Sequence, residues 1–181
     1  MNEDVQRRPD SSPIPLAALG LLFFGSGALA LVYEVVWHRQ FSLYFGSAAT
    51  ATAAVLAAYF TGLGIGNWLF GKWSRRWSNP LRTYGFLEFA VGAGALAVLP
   101  ITEFFSSVYL GLRADASPDL LLLLKGVIAF ASVALPTIAM GGTLPVLAEL
   151  VDLHKERPGL RVGWLYVVNT AGAALGALAF P

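Results

Sequence analysis

Residues 120–140, LLLLLKGVIAFASVALPTIAM, carry a single charge, Lys125, along their whole length. An α-helix rises about 1.5 Å per residue, so about 20 such residues cross the roughly 30 Å hydrocarbon core of a bilayer. Working outward, four more stretches meet that requirement: 15–37, with Pro15 well placed for a first helical turn, then 46–70, 84–105 and 162–181. The expected fold is therefore all-α, a polytopic transmembrane bundle of about five spans. Residues 1–13 read as a tail ahead of a transmembrane domain over 14–181.

Composition points the same way. Of 181 residues, 56% are hydrophobic and 13% charged, where an ordinary soluble domain carries roughly a quarter charged residues. The length suits a single domain. A net charge of +1 with no basic stripe speaks against nucleic acid as a partner. The absence of cysteine excludes disulfides, iron–sulfur ligation and thiolate catalysis. Two histidines, His38 and His154, are too few and too far apart for a histidine metal site, so no cofactor or metal is expected. The first span is read as retained, not cleaved as a leader. Its apolar run exceeds the roughly 7–15 residues of a signal core, continues past the small-residue spacing Ala28-Leu29-Ala30, and follows both acids and bases.

Orientation follows from lysine and arginine. With the N-terminus in the cytoplasm, one side holds Arg7, Arg8, Lys72, Arg75, Arg76, Arg82, Lys155, Arg157 and Arg161. The other holds only Arg39 and Arg113, and Lys125 lies within a span. The expected placement is N-terminus inside, with the C-terminal end outside. Tyr33, Trp37 and Tyr44 would then anchor the outer end of the first hairpin. Trp68, Trp73 and Trp77 would anchor the inner end of the second span.

Apolar character persists beyond residue 140, where Pro136, Gly141, Gly142 and Pro145 interrupt it. Proline removes an amide donor and glycine weakens a helix, so a break is expected there, followed by a short interfacial helix over 145–153. The plainer reading is an ordinary helix end; the functional one is unwound backbone lining a cavity, as transporters use. Gly62 and Gly66, and Gly172 and Gly176, are each four apart and mark helix-packing faces. Gly62-Leu63-Gly64-Ile65-Gly66 lacks the strand–turn–helix context of a dinucleotide loop.

Ionisable and polar groups inside spans are functional candidates by default. Glu34 stands roughly 28 Å along the first span and Lys125 about 8 Å deep in the fourth. Both fall in the outer half, where they either pair or stand apart, with Lys125 snorkelling to the headgroups. Glu88 and Asn169 lie about 6 Å and 10 Å in from the cytoplasmic starts of their spans. With Thr143 and Thr170 they form either a small polar cluster or ordinary interhelical hydrogen bonds.

Several segments occur together in order: Leu31-Val32-Tyr33-Glu34-Val35-Val36-Trp37; 62–71 leading into a basic loop at 72–76; Leu135-Pro136-Thr137 before Met140-Gly141-Gly142-Thr143-Leu144-Pro145; and Gly163-Trp164-Leu165-Tyr166 before Asn169-Thr170-Ala171-Gly172-Ala173. Over nearly the whole chain this resembles the N-terminal membrane region of bacterial fused transporter-like/spermidine synthase-like proteins. The basic loop also loosely resembles one in major-facilitator (MFS-like) transporters, but Ser74 precedes Arg75-Arg76 and the usual aspartate is missing.

The resemblance implies a membrane anchor, with passage or binding of a small, polyamine-type cation as the transport reading. It also implies a soluble aminopropyltransferase-like domain, of which these residues hold nothing. No catalytic residue carries over, and no nucleophile–base pair marks an enzyme. Ending in apolar sequence at Pro181 fits either a membrane-only relative or part of a longer protein. The alternative function is a structural or accessory subunit of a larger membrane complex. The expected partners are the bilayer and other membrane helices, from a second copy, a missing C-terminal part or that complex.

Overall fold

The computed structural model describes residues 14–45, 47–112, 117–152 and 158–180. Five helices make up nearly all of them: α1 Leu16–Phe45, α2 Ala48–Trp73, α3 Pro80–Leu112, α4 Pro118–Asp152 and α5 Pro158–Ala179, with a short 3₁₀ turn at Ser74–Arg76. No strand occurs among the described residues. All five helices are long and apolar enough to cross a membrane. The expected tail 1–13 with Arg7 and Arg8 lies outside the described residues, as do Arg113, Leu153, His154, Lys155, Arg157 and Pro181.

Local chemistry sets where the helices begin. Asn79 Oδ1 accepts from the Arg82 amide at 3.0 Å, and Pro80 follows it in the first turn, where its missing amide costs no hydrogen bond. Ser117 Oγ accepts from the Leu120 amide at 3.4 Å with Pro118 in the same role, and Ser47 Oγ accepts from the Thr50 amide. The helices run from 22 residues in α5 to 35 in α4. At about 1.5 Å per residue each is at least as long as the roughly 30 Å hydrocarbon core is thick.

α4 packs along both α2 and α3, α5 packs chiefly on α1, and α1 joins the two groups through α2. Lipid tails are as apolar as leucine, so helices gain nothing hydrophobic by leaving them; close van der Waals approach has to hold the bundle together. Glycine supplies it. A methyl group on Gly62 would run into the Thr137 hydroxyl of α4, and one on Gly66 into the Ile138 carbonyl, 3.0 Å from Gly141 Cα. Gly141 in turn lies on the Leu63 carbonyl of α2. Between α1 and α5, Gly172 meets the Phe24 carbonyl, Gly176 the Ala28 carbonyl, and Gly27 the Asn169 carbonyl. Larger side chains fill the rest of the core, with Trp37, Phe41, Val98, Val133 and Leu165 almost fully enclosed. Outward faces stay apolar: Leu96 is 79% exposed, Leu178 77% and Phe89 72%.

Two expectations are corrected. The break at Pro136, Gly141, Gly142 and Pro145 does not occur, and there is no separate helix over 145–153: α4 runs unbroken to Asp152, with both prolines inside it. Neighbouring helices accommodate these residues. The Pro136 ring nests against Gly94 of α3, its Cδ 2.9 Å from where a Cβ would stand. Thr137 Oγ1 donates to the Val133 and Ala134 carbonyls in the same turn. Gly141 and Gly142 are where α2 comes closest, the latter under the Phe70 ring. Serine and threonine hydroxyls and adjacent helices are the recognised means by which membrane helices keep interior proline. Trp37, expected as a headgroup anchor, is 1% exposed and stacks on Tyr33 at 6.0 Å; α1 continues past it to Phe45.

Gly141→Ala should destabilise the bundle by about 1–3 kcal/mol, because its new methyl meets backbone, which cannot rotate away. Gly64→Ala, whose methyl would meet nothing within 4 Å, should be neutral or slightly stabilising. Reversible unfolding in mixed micelles of a mild detergent and SDS measures both.

Candidate functional site

Two carboxylates within the helices, Glu34 of α1 and Glu88 of α3, meet polar groups along α1. α1 presents Ser26, Glu34, His38 and Ser42, spaced by multiples of four, so they follow one slowly turning face. At one end Ser26 Oγ donates to Glu88 Oε1 of α3 at 2.7 Å. The hydroxyl of Tyr84, a residue only 4% exposed, lies within hydrogen-bonding reach of both Glu88 and Ser26. The next residue, Gly27, lies against the backbone and side-chain oxygens of Asn169 on α5. Eight residues on, about 12 Å along the axis, Glu34 is within electrostatic reach of His38 and of Tyr59 on α2. His38 Nε2 shares a 2.7 Å hydrogen bond with Thr52 Oγ1, and Ser42 Oγ donates to the His38 carbonyl. The seam thus holds carboxylates at two depths, each partly buried and each beside a tyrosine of a neighbouring helix.

Of the sequence candidates, Glu88 and Asn169 are brought to consecutive residues of α1, one from each flanking helix. Thr143 and Thr170 turn back on their own helices, donating to the Met140 and Tyr166 carbonyls. Lys125 rests against aromatic rings. Its Nζ lies 4.7 Å from the centroid of the Tyr109 ring and 5.5 Å from that of Tyr44, within the range of cation–π attraction. Sequence reasoning missed Ser26, His38, Tyr59 and Tyr84. The four-residue periodicity of Ser26, Glu34 and His38 was a readable signal; the tyrosines carried none. Among the described residues no group of three His, Asp or Glu stands together as a metal cage.

Cavities open on the bundle among the described residues. One of about 760 Å³ lies between α2, α3 and α4, walled by Phe70, Trp77, Phe86, Phe89 and Leu135, with Arg82 also on its wall. Another, about 550 Å³, lies at the opposite end between α1 and α3, and its walls include Gln40, Tyr44, Glu103, Ser106 and Tyr109.

With this geometry in view, the comparison with known proteins is specific. The chain is 31% identical over 162 residues to polyamine aminopropyltransferase 2 of Streptomyces coelicolor. The match covers 87% of this chain and 27% of that protein. The chain therefore spans about a quarter of the length of the relative it matches. No protein-family model matches the chain, and no solved structure does.

Ser26→Ala and Glu88→Ala should be coupled. A double-mutant cycle read by unfolding in mixed micelles should give an interaction of about 0.6 kcal/mol, the average for interhelical hydrogen bonds, and up to about 1.7. Strict additivity would mean that the Ser26–Glu88 bond contributes nothing.

Proposed function

We propose that this chain is a membrane module of a polyamine aminopropyltransferase-like protein, anchored in the bacterial inner membrane with its N-terminus inside, and that it binds or passes a small polyamine-type cation along α1. The observation that carries the reading is the pair of partly buried carboxylates, Glu88 and Glu34, about 12 Å apart along one polar seam. An intramembrane carboxylate is expensive unless it meets a cation or a proton, and two at different depths make successive stations. The activity for which the relative is named supplies the class of cation. Thr143, Thr170 and Asn169 are assigned supporting roles in helix packing around the seam. Aminopropyl transfer itself is assigned to no residue here.

A second reading has its own support. α5 is held chiefly by α1, and its outer face leaves Leu160, Val167 and Leu178 exposed, which suits an accessory subunit that docks against further membrane helices. A single uniform monomer mass after gentle detergent extraction would count against it.

In proteoliposomes, radiolabelled putrescine or spermidine should bind or enter, and Glu88→Gln or Glu34→Gln should reduce this by about tenfold, equivalent to about 1.4 kcal/mol. Signal unaffected by either change would remove the seam from the function. The orientation has a separate test, because the chain has no native cysteine. A cysteine at Ser78 should react with an impermeant maleimide only after the cells are opened, and one at Ser47 or Ser117 in intact spheroplasts. The reverse pattern would invert the topology.

A further inference from the structure

The outer ends of α1 and α3 form a site of a different kind from the seam. Tyr44 and Tyr109 stand with ring centroids 5.9 Å apart at 61°. The Lys125 ammonium of α4 lies over both, and 6.0 Å from the Phe45 ring. These faces therefore already hold an alkylammonium, one borne on a four-carbon stem. The same two tyrosines line the cavity of about 550 Å³. Tyr44 Oη is buried and has no hydrogen-bond partner among the described residues.

The cavity wall is rich in acceptors. Thr102 Oγ1 donates its proton to the Val98 carbonyl at 2.9 Å, Ser106 Oγ to Thr102 at 2.8 Å, and Ser107 Oγ to Phe104 at 2.6 Å. A hydroxyl has one proton to give, so each of these three offers the cavity only lone pairs. Glu103 adds a carboxylate. Acceptor oxygens beside aromatic faces complement a group that has donors and no acceptors, and an ammonium is that group. Of the charged residues described at this end, Glu103 lies in the wall; Arg39, Lys125 and Asp119 do not.

We propose that the Tyr44–Tyr109 box and the adjoining cavity bind a linear alkyl diamine. One ammonium sits on the rings and the other at Glu103, and Lys125 is a tethered competitor that holds the box until the diamine displaces it. This rests on the reading of the module as a binder of small organic cations, and it adds the site of entry and the residue that guards it.

The test is equilibrium binding of radiolabelled 1,4-diaminobutane to the chain in nanodiscs of neutral phosphatidylcholine. Lys125→Met, which keeps the apolar stem and removes the charge, should tighten binding about five- to tenfold. Glu103→Gln and Tyr109→Leu should weaken it by a similar factor, while Tyr109→Phe, which keeps the ring face, should retain it. Should Tyr109→Leu not fold, Lys125→Met and Glu103→Gln decide between them. Binding that responds to Glu88→Gln but to none of the changes at Lys125, Glu103 and Tyr109 would overturn this site and leave the seam intact. No binding by either the parent chain or Lys125→Met would overturn both.

Discussion

The bundle depends on how closely one helix backbone can approach another. Inside a bilayer the apolar faces of helices are as comfortable against lipid as against each other, so burial of leucine cannot hold the bundle together as it does in water. Here the approach is made at glycine: α2 and α4 interlock through Gly62, Gly66 and Gly141, and α1 and α5 through Gly27, Gly172 and Gly176. Because all of these contacts but that of Gly62 with Thr137 are to main chain, they fix the axial register of each pair as well as its distance. Gly27 brings Asn169 of α5 up to α1, beside the point where Ser26 meets Glu88 of α3.

The polar groups fall into two populations with different physics. Most of the hydroxyls described within helices, such as Thr102, Ser106, Ser132, Thr137 and Thr143, donate to carbonyls of their own helix. That satisfies them without engaging another helix. A smaller set crosses between helices: Ser26 with Glu88, and His38 with Thr52. The crossing set involves ionisable groups and runs along α1, which touches each of the other helices. A cation moving along that helix would find acceptors from α3 and α2 in succession, which is why the seam, and not either cavity alone, is the basis of the functional reading.

The number of helices and the all-α class were legible from the spacing of charges around long apolar runs. Glycine spacing marked faces but could not name what they meet: nothing in Gly62 or Gly66 points to α4 in particular. The misreading at Pro136 and Gly141-Gly142 has a clear cause. Rules for helix breaking are drawn from helices in water, where a freed carbonyl finds solvent and unwinding is cheap. Here α4 packs against both α2 and α3, the proline ring fits the notch at Gly94, and the helix continues. Lys125 escaped for the opposite reason. A charge near a helix end suggests snorkelling or an ion pair, whereas its cage of Tyr44, Phe45 and Tyr109 is assembled from two other helices and exists only once the bundle is folded.

Single nitroxide labels at Leu96 and Phe89, both turned outward, and at Val133, fully enclosed by its neighbours, would test the arrangement most directly through collision with dissolved oxygen and with a water-soluble nickel chelate. A bundle immersed in lipid and packed through its glycines predicts oxygen far in excess of nickel at the two outward sites, and little of either at Val133. Nickel exceeding oxygen at Leu96 and Phe89 would place those faces in water and contradict the arrangement at its root.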